Sequence, residues 1–251
     1  MNGDPGLYIW LLPLSFVVAA VGAVTGGQSL VTVPLLMMMG LPPHQAIATN
    51  MFAVTFLSLG GTVGFMRSRT LAPPLIGRLG WWLALITLLT SAVGAALTAH
   101  ISEHAVRLFV PLSMLVFAVM LPFSSPSETQ PPAPWRRSLG FVLTAVLGVY
   151  GGAYSGGYTT LLTLVCTTLL GISLLRAVAL TKFINLFSCA VATLVFGFAG
   201  MVQWRLGASM GAVMFVGALV GARVAADVPA RALRLFFSVG VVVMAAFLLL
   251  R

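Results

Sequence analysis

Acidic side chains are nearly missing from this chain: four Asp and Glu stand against thirteen Lys and Arg in 251 residues. None of the four lies within a long apolar segment. Cation carriers and proton pumps commonly line their intramembrane pathway with carboxylates, so the absence argues against both. Charge of either sign is scarce: 7% of residues are charged, where soluble domains carry about 25%. A chain that is 60% hydrophobic cannot cover itself with polar surface in water, and its solvent is a lipid bilayer.

Other absences narrow the function. The two cysteines, Cys166 and Cys189, both fall inside apolar segments, which leaves neither a disulfide framework nor a metal spacing. His100 and His104 lie one turn apart beside Glu103 without completing a ligand set, and His44 follows Pro42-Pro43 at a segment boundary. No metal site and no cofactor are expected. There is no His-Glu-x-x-His, no nucleophile with an evident base and no acid pair, so an enzyme is disfavoured. The lack of a Gly-x-x-x-x-Gly-Lys-Ser/Thr loop excludes ATP-driven transport by this chain alone. The net charge of +9 is scattered over short loops and forms no patch, so it reads as a topology signal and not as a nucleic-acid interface. Met1-Asn2-Gly3-Asp4 lacks the basic start of a cleavable signal, so Leu7–Val24 is expected to remain in the mature protein.

What is present is present twice. Thr25-Gly26-Gly27, Gly40 and Ala46-Ile47-Ala48 return about 130 residues later as Ser155-Gly156-Gly157, Gly171 and Ala177-Val178-Ala179. Val93-Gly94-Ala95 with Arg107-Leu108-Phe109 returns as Val220-Gly221-Ala222 with Arg234-Leu235-Phe236. Ten apolar segments are predicted, at 7–24, 28–40, 44–66, 79–99 and 104–122, then 139–154, 157–170, 174–200, 205–225 and 230–250. The expected organisation is a first repeat over 1–122, a Pro-rich linker over 123–138 and a second repeat over 139–251. Between Pro122 and Pro134 five prolines forbid a regular helix.

The second segment of each half covers only about 20 Å, against about 30 Å of hydrocarbon. Each first and second segment meets at Gly-Gly, so each pair forms either two tilted spans or two half-helices re-entering the membrane. The re-entrant arrangement is the favoured one, because irregular backbone at that depth needs protein or a water-filled cavity around it. Arg67, Arg69, Arg78, Arg136, Arg137, Arg223, Arg231 and Arg234 fall on one side, against Arg107, Arg205 and Arg251 on the other. With the rich side in the cytoplasm both termini are external, and the repeats are inverted. The fold class is thus an all-α integral membrane protein of two inverted-topology repeats of about five helical segments each.

Lys182 is the one clear intramembrane charge, at an insertion cost of about 2.5–3.5 kcal/mol for a residue at the helix centre. Thr181, Asn185 and Ser188 follow along the same helix face, with a thinner version in Thr49, Asn50 and Ser58. Two readings stand: Lys182 holds an anion, or it snorkels to the nearby interface. Thr25 and Ser155 are expected to cap the helices starting near Gln28 and Tyr158, whose free N–H groups would then form an anion site. The alternative is that the glycines only let helices pack closely, as Gly217-x-x-x-Gly221 is expected to do. Trp81, Trp82, Trp135 and Trp204 mark segment ends as an aromatic belt.

The run Gly26-Gly27-Gln28-Ser29-Leu30-Val31-Thr32-Val33-Pro34, the stretch Gly40…Ala46-x-Ala48-Thr49-Asn50 and the echo Gly156-Gly157…Gly171…Ala177-x-Ala179-x-Thr181 resemble the sulfite exporter TauE/SafE family across both halves. The resemblance implies a bacterial inner-membrane carrier of sulfur-containing or organic anions such as sulfite, sulfonates or thiosulfate. This chain departs from its own repeat in the second half, where no proline answers Pro34 and Lys182 aligns with Met51. The leading expectation is a secondary transporter of a small anion, with a passive anion channel as the alternative. The expected substrate-binding set is Gly26, Gly27, Gln28, Ser29 and Asn50 from the first half, and Gly156, Gly157, Tyr158, Thr159, Thr181, Lys182 and Asn185 from the second. Its partners are the anion and the bilayer, with a coupling proton or sodium ion and the oligomeric state left open.

Overall fold

The computed structural model describes residues 5–71, 73–120 and 133–225, and every regular element in them is an α-helix. In order these are α1 (Pro5–Thr25), α2 (Ser29–Met38), α3 (Pro43–Arg67), α4 (Pro73–His100), α5 (Glu103–Met120), α6 (Pro134–Ala153), α7 (Tyr158–Thr168), α8 (Leu174–Phe198) and α9 (Trp204–Val224). The expected segment at 230–250, most of the linker, and Asp227, Arg231, Arg234 and Arg251 lie outside the described residues. The helix α6 begins at Pro134, within the stretch read as linker, because proline at the first helical position loses no bond and carries a helical φ.

Helix length separates two kinds of element. Pro43–Arg67, Ile76–His100, Leu174–Phe198 and Trp204–Val224 are long and apolar enough to cross a membrane. By contrast, α2 has 10 residues and α7 has 11. At 1.5 Å per residue each covers only about half of the hydrocarbon thickness. Each short helix stops ahead of the same repeated glycine: Gly40 at φ +91° and Gly171 at φ +66° take the left-handed conformation that ends helices.

Packing exchanges one helix between the halves. The helix α4 rests on α6 and α8, while α9 rests on α1 and α3. Exchanging the halves (α1 with α6, α2 with α7, α3 with α8, α4 with α9) maps α1·α9 onto α6·α4, α3·α9 onto α8·α4, and α2·α3 onto α7·α8. The core follows this division. One buried cluster gathers Leu30, Ile47 and Val54 with Met210 and Met214 of α9; another gathers Leu162, Ala179 and Ile184 with Leu83 and Ala84 of α4.

The repeated Val-Gly-Ala motifs mark the equivalent crossings. A Cβ on Gly94 would strike the carbonyl of Val149 in α6, and one on Gly221 would strike that of Ala20 in α1. Gly217 likewise abuts Phe16, so Gly217-x-x-x-Gly221 is a helix-contact motif, as its spacing predicts. Trp81, Trp82, Trp135 and Trp204 are all exposed on the helical surface.

Candidate functional site

The two Gly-Gly breaks meet. After α1 ends at Thr25, Gly26 (φ +77°) and Gly27 (φ +74°) both adopt left-handed backbone, which glycine takes without a Cβ penalty. In the second half Ser155 (φ +62°) and Gly157 (φ +74°) do so. The Thr160 hydroxyl, in the first turn of α7, donates to the Thr25 carbonyl at 2.7 Å and ties the breaks together. A Cβ on Gly26 would lie 2.6 Å from the Thr159 hydroxyl and closer still to that of Thr160, so the contact exists only because position 26 is glycine. All residues from Thr25 to Leu30 and from Tyr154 to Thr159 are buried, and the junction is sealed.

The expected N-caps are corrected. Gln28 and Gly157 occupy the cap positions of α2 and α7, and neither helix has a side-chain cap. The Thr25 hydroxyl turns back to the Val21 carbonyl at 3.1 Å, and Ser155 faces the Cys189 thiol at 3.9 Å. Left-handed residues between Thr25 or Ser155 and the helix swing those hydroxyls off the helix axis. The backbone ladder of α2 starts with Leu30, Val31 and Thr32 donating to Gly27 and Gln28. The N–H groups just ahead of it stand outside the ladder, as at every helix N-terminus.

Lys182 reaches this junction from α8. Its side chain is 1% exposed, and its Nζ donates to the Gly22 carbonyl of α1 at 2.6 Å, so it does not run to an interface. Its stem passes Gly61 of α3, where a Cβ would sit 3.3 Å from the Lys182 Cγ. Gln28 packs on the same Gly22: a Cβ there would lie 3.2 Å from the Gln28 Oε1. Both polar atoms of Gln28 and the Thr159 hydroxyl are buried without a hydrogen-bond partner. Lys182, Gln28 and Thr159 therefore bring an ammonium, a carboxamide and a hydroxyl toward the breaks that precede two helix N-termini.

Other expected site residues are engaged in holding the short helices. Asn50 donates to the Ser29 hydroxyl at 2.9 Å and accepts from Thr32 at 2.5 Å, clamping α2 to α3. Thr181 pairs with Thr163 at 3.1 Å, clamping α7 to α8 at the equivalent place. Asn185 crosses between the halves to Ser58 at 2.7 Å, and Ser188 bonds Ser91 of α4 at 2.7 Å. The polar face of α8 thus fans out to α7, α3 and α4 and does not form one stripe. Tyr158 packs its ring on Gly151 and points its hydroxyl at Thr87, while Gly156 lies against the Tyr154 ring.

Gly22, Thr160 and Tyr154 were missed as sequence candidates. Tyr154 directs its hydroxyl to the Ser29 carbonyl at 3.4 Å, a second tie across the junction. A signal for the clamps was available: Thr32–Asn50 and Thr163–Thr181 share one spacing, 18 residues, in both halves. Replacing Asn50→Ala is expected to destabilise the protein by about 1–3 kcal/mol, since it leaves the buried Ser29 hydroxyl without its partner and Thr32 with only the Gln28 carbonyl at 3.1 Å. Thermal unfolding in detergent measures the loss; an unchanged midpoint would mean that the clamp contributes nothing.

Fold and site together define a helical membrane protein whose two halves are broken at matching points and joined there. The chain belongs to the sulfite exporter TauE/SafE family, which it matches over residues 11–248. Among its relatives, a probable membrane transporter protein of Sinorhizobium sp is 30% identical over 227 residues, covering 87% of this chain and 83% of the relative. One of Haemophilus influenzae, also called a probable membrane transporter protein, is 29% identical over 216 residues, covering 85% and 83%. The probable membrane transporter protein YfcA of Escherichia coli K12 is 28% identical over 210 residues, covering 81% and 75%. No solved structure matches the chain.

Proposed function

We propose that this protein is a secondary transporter of a small anion in a bacterial inner membrane. Its substrate class is sulfite, a sulfonate or another sulfur-containing or organic anion, bound where the two breaks meet. The observation that carries this reading is the buried Lys182 ammonium on the Gly22 carbonyl, with Gln28 packed on Gly22 and Thr159 facing Gly26, the side-chain polar atoms of Gln28 and Thr159 lacking protein partners. Burying such groups unpaired costs about 1–3 kcal/mol each, and an oxyanion would offset that cost for the Gln28 amide N–H, the Thr159 hydroxyl and the ammonium. A cation could use the Gln28 Oε1 and the Thr159 oxygen, but it would meet repulsion from Lys182 and from the positive ends of two helix dipoles. Gly26, Gly27, Gln28, Gly157, Thr159 and Lys182 line the bound anion. Ser29, Asn50, Thr181 and Asn185 hold the helices that frame it, and Gly156 and Tyr158 set the second turn.

Transport follows from alternating access between inverted repeats over 1–122 and 139–251, with 123–138 as a cytoplasmic linker and α2 and α7 re-entrant. The exchanged packing of α4 and α9 suits this motion, because each half grips the other through equivalent surfaces. The sealed junction corresponds to an occluded state. Arg176, exposed in the first turns of α8, adds to the basic side assigned to the cytoplasm. Purified protein in liposomes, tested with sulfite, thiosulfate, sulfoacetate, taurine and chloride, should show saturable, gradient-coupled flux of one or more of these anions. Unitary currents would instead mark an anion channel, and no flux of any of them would overturn the substrate class.

Topology is tested separately. Cysteine placed as Ser125→Cys in the linker is expected to react with membrane-impermeant maleimide only after the cytoplasmic face is opened. Labelling of intact cells would place the linker outside and remove the basis for inversion.

A further inference from the structure

A second basic feature lies apart from the junction, on the surface where α4 and α6 pack. Arg78, near the start of α4, and Arg137, in the first turn of α6, line one open cavity of about 480 Å³. Its remaining walls are apolar: Leu79, Trp82 and Ile86 of α4 and Phe141 of α6. Arg78 and Trp82 also border a second cavity of about 350 Å³, with Gly77, Trp81 and Leu85. At the second cavity the helix is bent at Gly77, whose backbone (φ +21°, ψ −155°) is not helical. Below the arginines α4 presents exposed Leu85, Leu89 and Val93, and α6 presents Val142 and Val146. Two guanidinium groups therefore head a pair of apolar grooves that continue along a lipid-facing surface.

We propose that Arg78 and Arg137 bind the phosphate of an anionic phospholipid, whose acyl chains descend along the two grooves flanking Trp82. The arrangement matches the chemistry of the ligand. Guanidinium forks bind phosphate oxygens with directed, charge-assisted hydrogen bonds. Exposed tryptophans are most stable at headgroup depth, and aliphatic side chains suit hydrocarbon. Anionic lipids concentrate in the cytoplasmic leaflet, and basic pockets between helices on that side recognise their headgroups. A free phosphate would use the arginines but leave the apolar walls unmatched. A zwitterionic lipid would use the walls, yet its own ammonium would oppose the arginines. Because α4 belongs to the first half and α6 to the second, the lipid would bridge the halves at their seam.

Native mass spectrometry of the full-length protein, exchanged with dioleoylphosphatidylglycerol, dioleoylphosphatidylcholine or inorganic phosphate, tests this. Phosphatidylglycerol adducts should survive activation that strips phosphatidylcholine. In the double variant Arg78→Gln/Arg137→Gln, their retention should fall by roughly an order of magnitude. The double variant Arg205→Gln/Arg223→Gln should retain them as the unaltered protein does. The altered arginines are solvent-exposed, so the thermal midpoint reports that the fold persists. Arg78→Lys/Arg137→Lys should keep part of the retention if a variant with glutamine proves unstable. Equal retention of both lipids, displacement of phosphatidylglycerol by millimolar phosphate, or full retention by Arg78→Gln/Arg137→Gln would overturn the proposal.

Discussion

Transport should be lost in Lys182→Met while the protein stays folded and gains stability. Methionine keeps the length of the stem that passes Gly61 and removes only the ammonium. The Gly22 carbonyl still accepts from the Gly26 N–H at 2.9 Å, so no acceptor is orphaned. What disappears is a buried cation whose sole observed bond among the described residues is to a neutral carbonyl. Leaving a charge unpaired in a dry interior costs several kcal/mol, so its removal should raise the thermal midpoint in detergent. On the proposed function the group destabilises the protein and is retained for the anion, a stability–activity trade-off of the usual kind. Flux of the substrate found in the liposome panel should fall at least about 100-fold, the loss of a charge contact worth about 3 kcal/mol. Lys182→Arg should rescue little, because the larger planar guanidinium does not fit a path shaped for a compact ammonium. Unaltered flux in Lys182→Met would remove Lys182 from the site.

The second large effect is expected at Gly26. In Gly26→Val a β-branched side chain must adopt φ +77°, at a cost of about 1–2 kcal/mol for the left-handed backbone alone. Its Cβ would also lie 2.6 Å from the Thr159 hydroxyl and 3.0 Å from the Thr160 amide nitrogen, both held by the start of α7. Overpacking of this kind adds about 1–3 kcal/mol. The breaks must separate and the Thr160–Thr25 bond must go, so transport should vanish and the thermal midpoint should drop. Gly40→Ala is the control: φ is +91°, but no atom lies within 4 Å of the new Cβ, so only backbone strain applies. Gly27→Val and Gly157→Val carry the same left-handed strain, at φ +74° each, and should also impair transport. Wild-type flux from Gly26→Val would show that the two breaks do not need to touch.

Much of this protein was legible in its residue order. Nine of the ten segments, the two short helices among them, and the stops at Gly40 and Gly171 follow from apolar runs and glycine positions. The N-caps were misread because a cap is a matter of torsion angles: Thr25 and Ser155 are suitable residue types, but left-handed residues intervene between them and the helix. The polar stripe on α8 was half right. Its spacing was correct, yet each side chain finds a different neighbouring helix, which periodicity cannot reveal.

What the sequence determined by itself was one-dimensional: how long each helix is, where it breaks, and that the breaks occur twice. The bilayer enforces this, since a span must match its thickness and satisfy its own backbone bonds. What the tertiary structure decided was who meets whom. The exchange of α4 and α9 and the contact of Gly26 with the start of α7 depend on how helices cross, as does the Lys182 bond to Gly22 across 160 residues of chain. Those crossings are set by small residues that admit a neighbouring backbone, and the partner each one admits is chosen only when all the helices pack together.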